Sequence, residues 1–351
     1  MNNINFYILS LILSITGCTL SNSWIVTWFW IELQSLSLIP ILSLNVSPRS
    51  IEATSKYFLF QAIGSVLLLL GILLRYFNES NLNVLGNYNI IELIIIIFAI
   101  TLKMGIFPNH FWFLDVMQGV NFLTGFFVAI VSKIIPIYIV IVISSNSTQV
   151  ILSTIGILSV IIGSVFGVQQ TQLRKLIALS SITHLGWMLI VFSNTTDKWI
   201  GIILFISYIV MTLPLFWLGN TFSIEHLAKT TNVSNSSILS TMLSLSILSI
   251  AGLPPLLGFF YKWLMFYNVI SSYNYLIVTT LIIASLLSLY FYIQICISFY
   301  FNQWPLIKTM FNNTLVNSNK INIISLVIVF SNVLLYYTIW NISPLSTSWS
   351  F

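Results

Sequence analysis

Charge is what this chain has least of. Asp, Glu, Lys and Arg together make up 5% of its 351 residues, against about a quarter in a soluble globular domain. That shortage excludes an ordinary water-soluble enzyme. With 58% hydrophobic residues and a mean hydropathy of +1.01, there is too little polar surface to coat one globule, still less the two that the length suggests. The chain reads as one polytopic membrane domain. Cysteine is nearly absent too: Cys18 and Cys296 lie far apart in apolar segments, cannot build a disulfide framework, and are too few for an iron–sulfur cluster. The three histidines, His110, His184 and His226, fall on different segments without the spacing of metal ligands. The 12 basic residues against 7 acidic ones are scattered singly, so no stripe tracks a phosphate backbone and nucleic acid is not a partner. Ser/His/Asp elbows, P-loops and glycine-rich nucleotide fingerprints are likewise missing. The amino terminus, Met1 to Phe6, has neither a basic region nor an Arg-rich amphipathic segment, so any address lies elsewhere. Heavy use of Ile and Asn with little Ala or Gly fits an AT-rich genome and synthesis inside an organelle.

What is present is a succession of apolar runs. A hydrocarbon core about 30 Å thick needs roughly 20 residues of helix, because every backbone amide must be paired within its own segment. That ruler gives about eleven spans, near residues 4–21, 24–44, 56–76, 90–107, 122–143, 150–169, 174–193, 199–221, 238–269, 275–301 and 321–342. The expected fold class is therefore all-α and polytopic. The connections, such as 45–55, 78–89, 144–149 and 230–237, are short and polar, and none holds a soluble domain. Alternating from the amino terminus, one side collects Arg49, Lys56, Arg174, Lys175, Lys229, Lys308 and Lys320, while the other has Arg75 and Lys198. The bias puts the amino terminus on the negative side, the matrix or cytoplasm, and an odd number of spans puts the carboxyl terminus opposite.

Two spans are not clean helices. Lys103-Met104-Gly105-Ile106-Phe107-Pro108-Asn109-His110-Phe111-Trp112 combines Gly, Pro and polar groups near the end of the fourth span. Ala251-Gly252-Leu253-Pro254-Pro255-Leu256-Leu257-Gly258 interrupts the ninth. Paired interruptions of this kind point to an internally repeated transporter with its ion path at the unwound points. The expected division is one repeat over residues 4–143, a second over 150–301, each with a broken helix, and a final helix at 321–342.

An ionisable group at a helix centre in hydrocarbon costs at least about 2.5 to 3.5 kcal/mol, so those that remain usually mark an ion path. Five stand out. Glu32 lies mid-span, too deep for a short side chain to reach the headgroups; a structural carboxylate tied to a neighbouring helix is the plainer alternative. Lys103 sits at the first break, Lys133 lies mid-span just before Pro136, and Lys262 follows the second break nearest an interface. Snorkelling competes as an account of each lysine. His184, in Ser180-Ser181-Ile182-Thr183-His184, either bridges a hydrogen-bond chain or satisfies itself against a carbonyl. Such a series stores protons, because a buried amine holds or releases its proton according to where a carboxylate stands. Of the other charges, Glu52 and Lys56 are spaced to pair on one helix face, Arg174 and Lys175 read as topology anchors, and Glu92, Asp115 and Glu225 read as interfacial, with Asp115 a possible lining of a water inlet.

These residues resemble the antiporter-like membrane subunits of mitochondrial NADH:ubiquinone oxidoreductase, respiratory complex I. The resemblance rests on Trp28 to Leu33; Glu52 to Leu59; Lys103-Met104-Gly105 with Pro108, His110-Phe111-Trp112 and Gln118-Gly119; Lys133 to Pro136; Gln170 to Lys175 through Ser180 to Trp187; and Gly252 to Pro255 through Gly258-Phe259 to Lys262-Trp263. Any one stretch is weak, but six in this order are specific. They cover roughly residues 24–263. The resemblance implies an eleven-helix subunit, three helices shorter than its bacterial relatives. Glu32 would pair with Lys103, Lys133 would be the central-axis lysine, His184 a possible relay, and Lys262 the lysine of the second broken helix. It also implies no cofactor in this chain, with FMN, iron–sulfur clusters and ubiquinone in other subunits. Implied partners are antiporter-like neighbours, small membrane subunits and lipids in the mitochondrial inner membrane, with the amino terminus in the matrix and the carboxyl terminus in the intermembrane space. Asp115 stands where Glu is usual and Asn109 where Phe is common. Two other classes share parts of this pattern. A stand-alone cation/proton antiporter would keep all fourteen helices, and a passive scaffold of the membrane arm would need no Glu and three Lys at depth.

Overall fold

The computed structural model describes residues 2–44, 47–86, 88–145, 147–194, 198–222, 237–254, 256–270 and 275–301. The last expected span, 321–342, lies outside them, as do Glu225, His226, Lys229, Lys308 and Lys320. Every named element among the described residues is helical: α1 (Asn2–Leu20), α2 (Trp24–Leu42), α3 (Pro48–Glu79), α4 (Ile90–Met104), α5 (Phe111–Gly119), α6 (Phe122–Ala129), a 3₁₀ turn (Val131–Lys133), α7 (Ile134–Ile143), α8 (Gln149–Val168), α9 (Leu173–Asn194), α10 (Lys198–Phe222), α11 (Ser237–Ala251), α12 (Leu257–Ile270) and α13 (Tyr275–Phe301). Seven stretches are long and apolar enough to cross a membrane, α6 to α7 counting as one. Large apolar side chains such as Ile12, Phe29, Leu59, Val66, Ile283 and Leu286 are exposed, the surface expected of helices that face lipid or neighbouring subunits rather than water.

Helix boundaries follow local chemistry. The third span begins earlier than hydropathy suggests. Ser47 and Ser50 form a reciprocal capping box and Pro48 opens the first turn, so residues 48–55, expected in a connection, are helical. At the other end of this helix, the connection through Leu82 and Val84 folds back on the turn before α2. Trp24 N donates to Leu82 O at 2.8 Å and Val84 N to Asn22 O at 3.0 Å, stitching this connection to the one between α1 and α2. Beneath it Arg75 is fully buried, its guanidinium 4.0 Å from the Tyr88 ring centroid and 3.7 Å from Glu79. A Cβ at Gly86 would lie 2.5 Å from Arg75 Nη2, so any larger residue there would have to push the guanidinium aside. Burial lifts the Tyr88 phenol above its usual range, against the pull of that guanidinium. Glu92, read from sequence as interfacial, is fully buried. Its carboxylate accepts from Asn78 at 2.5 Å and Asn89 at 3.1 Å, so hydrogen bonds replace the water it loses.

The chain forms two compact units. One comprises Met1–Gly163 with Ile177–Gly201, the other Ser164–Leu176 with the described part of Ile202–Phe351. In the first, α3 packs along α4 closely enough that a side chain at Gly71 would meet Ile96 Cγ1 at 2.8 Å. Leu68, Ile72, Leu93, Ile96 and Ile97 are all buried there. In the second, α11 and α12 are the two halves of the ninth span. They separate at Gly252, whose φ of 84° is open only to glycine at low cost.

Candidate functional site: a buried carboxylate and lysine series

A helix that stops inside a membrane must find partners for its last carbonyls. Helix α4 stops at Gly105, in the left-handed region at φ 68°. Gly105 N returns to Leu102 O and Ile106 N to Thr101 O. Gln61 of α3 donates to the Lys103 carbonyl at 3.1 Å, and Trp112 of α5 donates its indole N–H to the Leu102 carbonyl at 3.1 Å. The open turn that follows contains the cis Phe107–Pro108 bond. Gly105 also lies so close to α5 that a Cβ there would sit 2.6 Å from Phe113 Cβ. The break is thus a satisfied end that holds Lys103 in the interior.

Lys103 is buried, with its Nζ 4.0 Å from Glu32 Oε2 of α2. At that separation the two form a charge pair without a direct hydrogen bond. Among the described residues neither atom has a hydrogen-bond partner. The Lys103 stem passes over Gly64 of α3, where a Cβ would meet its Cγ at 2.8 Å. The expected Glu32 and Lys103 pair is present in this geometry. Glu32 is less enclosed than its mid-span place suggests, with its side chain 26% exposed.

Lys133 is fully buried at the 3₁₀ turn that splits the fifth span. Pro136 is the third residue of α7, where its missing N–H leaves little unpaired, so the helix yields just before it. Gln34, two residues after Glu32, donates to the Val131 carbonyl in that turn at 2.6 Å and ties the helix of Glu32 to that of Lys133. The Lys133 ammonium donates to Ser181 Oγ of α9 at 3.2 Å and stands 3.9 Å from the centroid of the Phe113 ring. His184 is buried one turn beyond Ser181, on the same helix. Lys262 belongs to the second compact unit. Its amine donates to the Ala251 carbonyl at 2.6 Å, the last residue of α11, and a Cβ at Gly252 would meet its Cδ at 2.7 Å. A cation at that position suits the negative end of a broken helix. Lys262 is thus a hydrogen-bond partner of the break.

The structure thus joins Glu32 to Lys103 and Lys133 to Ser181, and seats His184 in the same unit. Sequence reading missed Gln34, Gln61, Trp112 and Phe113 as participants. The two glutamines carry the same signal as the lysines, a polar group deep in an apolar run. Nothing in the sequence marks Phe113. Among the described residues no group of three or more His, Cys, Asp or Glu is placed to hold a metal ion.

A family model described as NADH:quinone oxidoreductase/Mrp antiporter, transmembrane, matches residues 21–288. The chain belongs to that family. Relatives include the NADH-ubiquinone oxidoreductase chain 2 of Eidolon helvum, 35% identical over 342 residues, which covers 95% of this chain and 97% of that one. That of Pisaster ochraceus is 37% identical over 291 residues, covering 82% and 81%. The fold of the antiporter family is shared with a chain of respiratory complex I from Thermus thermophilus, with a TM-score of 0.83 at 20% identity over 95% of this chain and 78% of that one.

Proposed function

We propose that the chain is the antiporter-like membrane subunit of a proton-pumping NADH:ubiquinone oxidoreductase, carrying protons through Glu32, Lys103, Lys133, His184 and Lys262. NADH is oxidised and ubiquinone reduced in other subunits, which hold the FMN and iron–sulfur clusters. The observation that supports this most directly is the Glu32–Lys103 charge pair, 4.0 Å apart, set beside a fully buried Lys133 with a hydroxyl acceptor in a chain of this family. A dry site makes an ammonium's hold on its proton depend on the nearest carboxylate. A small shift of Glu32 therefore changes the proton affinity of Lys103, and through it the charge felt at Lys133. The Ser181 hydroxyl accepts from Lys133 and stands one turn from His184, a hydrogen-bonded step away from the amine. Lys262, bound to the end of α11, would accept the proton at the exit half. Each proton moved against about 100 mV requires roughly 2.3 kcal/mol.

The arrangement is that of two five-helix repeats, residues 4–143 and 150–301, with a final helix at 321–342, giving eleven helices. The chain lies in the mitochondrial inner membrane with its amino terminus in the matrix and its carboxyl terminus in the intermembrane space. Its partners are antiporter-like neighbours and small membrane subunits of the same arm. A carboxylate 26% exposed at mid-span supports a polar neighbour there, since lipid would leave it unsatisfied.

Immunocapture of the native assembly through this chain tests the proposal. The expected result is a large complex that reduces ubiquinone with NADH and, in vesicles, translocates protons in step. Recovery of the chain alone or in a small complex that exchanges cations for protons without NADH would overturn it in favour of a stand-alone antiporter.

A further inference from the structure

Helix α5 is nine residues long, too short to hold itself together without neighbours, yet its Phe113 ring lies against the Lys133 ammonium. Beyond its contacts with the end of α4, α5 lies along one stripe of α3. A Cβ at Gly119 would sit 2.6 Å from Ala53 Cβ, Asp115 Oδ2 accepts from Lys56 Nζ at 2.9 Å, and the Trp112 ring stacks on Phe60 with centroids 5.9 Å apart. Positions 53, 56 and 60 recur at helical spacing, so α5 runs antiparallel along that face. The aromatic and close-packed contacts hold α5 down but tolerate rotation about its axis, whereas the two directed contacts, the Trp112 indole on the Leu102 carbonyl at its start and the ion pair one turn further on, do not. Asp115 is the only charged residue of α5. Lys56 is itself held by Glu52 at 2.8 Å. The ammonium is therefore fixed on α3 before it meets α5.

We infer that the Lys56–Asp115 ion pair is a positioning device for the broken helix, setting the rotation of α5 that keeps the Phe113 ring over Lys133. This rests on the proposed proton path through Lys133. Attraction of an ammonium to a ring face holds only within about 6 Å of the centroid, so turning α5 removes Phe113 from the amine while leaving Ser181 in place. The pair is half-exposed, with side chains 35% and 52% accessible. It thus contributes little to stability, and its loss leaves folding intact.

The test measures NADH-driven proton translocation in vesicles holding the assembled enzyme, at low and high salt, with assembly checked for each variant. Asp115→Asn should slow translocation about two- to threefold at low salt, the population shift an exposed pair can supply. The difference from the parent should close as salt screens the parent's own pair. Asp115→Glu should restore the rate, and so should the reversed pair Lys56→Glu with Asp115→Lys, made together with Glu52→Lys so that residue 56 keeps an opposite charge on its own helix, which a merely structural role for the aspartate would not predict. Lys133→Met, run beside them, separates the two claims. If it abolishes translocation while Asp115→Asn matches the parent at every salt, or the reversed pair fails to rescue, the positioning role is overturned and the proton path stands. If Lys133→Met itself translocates normally, the path falls, and with it the purpose of the pair.

Discussion

At the scale of single residues, Lys133 and Glu32 carry opposite expectations for stability and the same expectation for pumping. Lys133→Met keeps nearly the same length, removes the protonatable site and suits surroundings that are fully buried. Replacing a buried charge by a matched apolar group is often neutral or stabilising. Assembly should therefore survive, and the protons translocated per NADH oxidised should fall. Glu32→Gln keeps the shape but strands Lys103, whose carboxylate neighbour among the described residues is Glu32 at 4.0 Å, and an unpaired buried charge is destabilising. It should lower both the proton ratio and the yield of assembled complex. Normal ratios in both variants would leave the subunit a scaffold. These residues were legible in the sequence because ionisable groups are rare in apolar runs. Glu92 was legible as a charge but not as a buried one, since its partners are Asn78 at the end of α3 and Asn89 just before α4, two ends that only the tertiary fold brings together.

At the scale of elements, the broken helix α4 ends on borrowed donors. Gln61→Leu would leave the Lys103 carbonyl, now receiving the Gln61 amide at 3.1 Å, buried and unmatched. The cost should be about 1 to 3 kcal/mol, read as a lower thermal midpoint of the assembled complex. Gly105→Ala should be at least as damaging. At φ 68° a β-carbon adds about 1 to 2 kcal/mol of backbone strain and meets Phe113 Cβ at 2.6 Å, pushing α5 away from Lys133. An unchanged midpoint and proton ratio in Gly105→Ala would show that the break tolerates movement of α5. Both interruptions could be seen in the Gly and Pro of the sequence. Their exact ends could not, because Gln61 and Trp112 reach the freed carbonyls from other helices. The early start of α3 was missed because hydropathy outweighed the Ser47-Pro48 cap, a local signal that turned out to decide the boundary.

At the scale of the whole molecule, the Lys and Arg asymmetry predicts that the connection between α2 and α3 faces the matrix. Ser47 caps α3, so a cysteine probe belongs at exposed Leu44 rather than at the cap. The native thiols Cys18 and Cys296 are buried and free, so they should label slowly. A membrane-impermeant reagent should reach Leu44→Cys only in inverted vesicles; labelling only from the intermembrane side would reverse the orientation. The opposite rim is closed by the stitched connections of Trp24 with Leu82 and Val84 with Asn22. Arg75 beneath them, counted from sequence as a flank charge, is buried against Tyr88.

Composition and spacing alone determined that this chain lives in a membrane, that it breaks two helices by Gly and Pro, and that Glu32, Lys103, Lys133, His184 and Lys262 are the groups to watch. Each of those is a property of one segment, set by the cost of polar groups in hydrocarbon. Tertiary structure decided what the segments do to one another. It placed Glu32 against Lys103 and Ser181 against Lys133, bound Lys262 to the carbonyl of Ala251, and brought the unmarked Phe113 ring over Lys133 on a helix that a surface ion pair ties to α3. Such contacts join residues on different helices, and helical periodicity holds no information about which face of one helix meets which face of another.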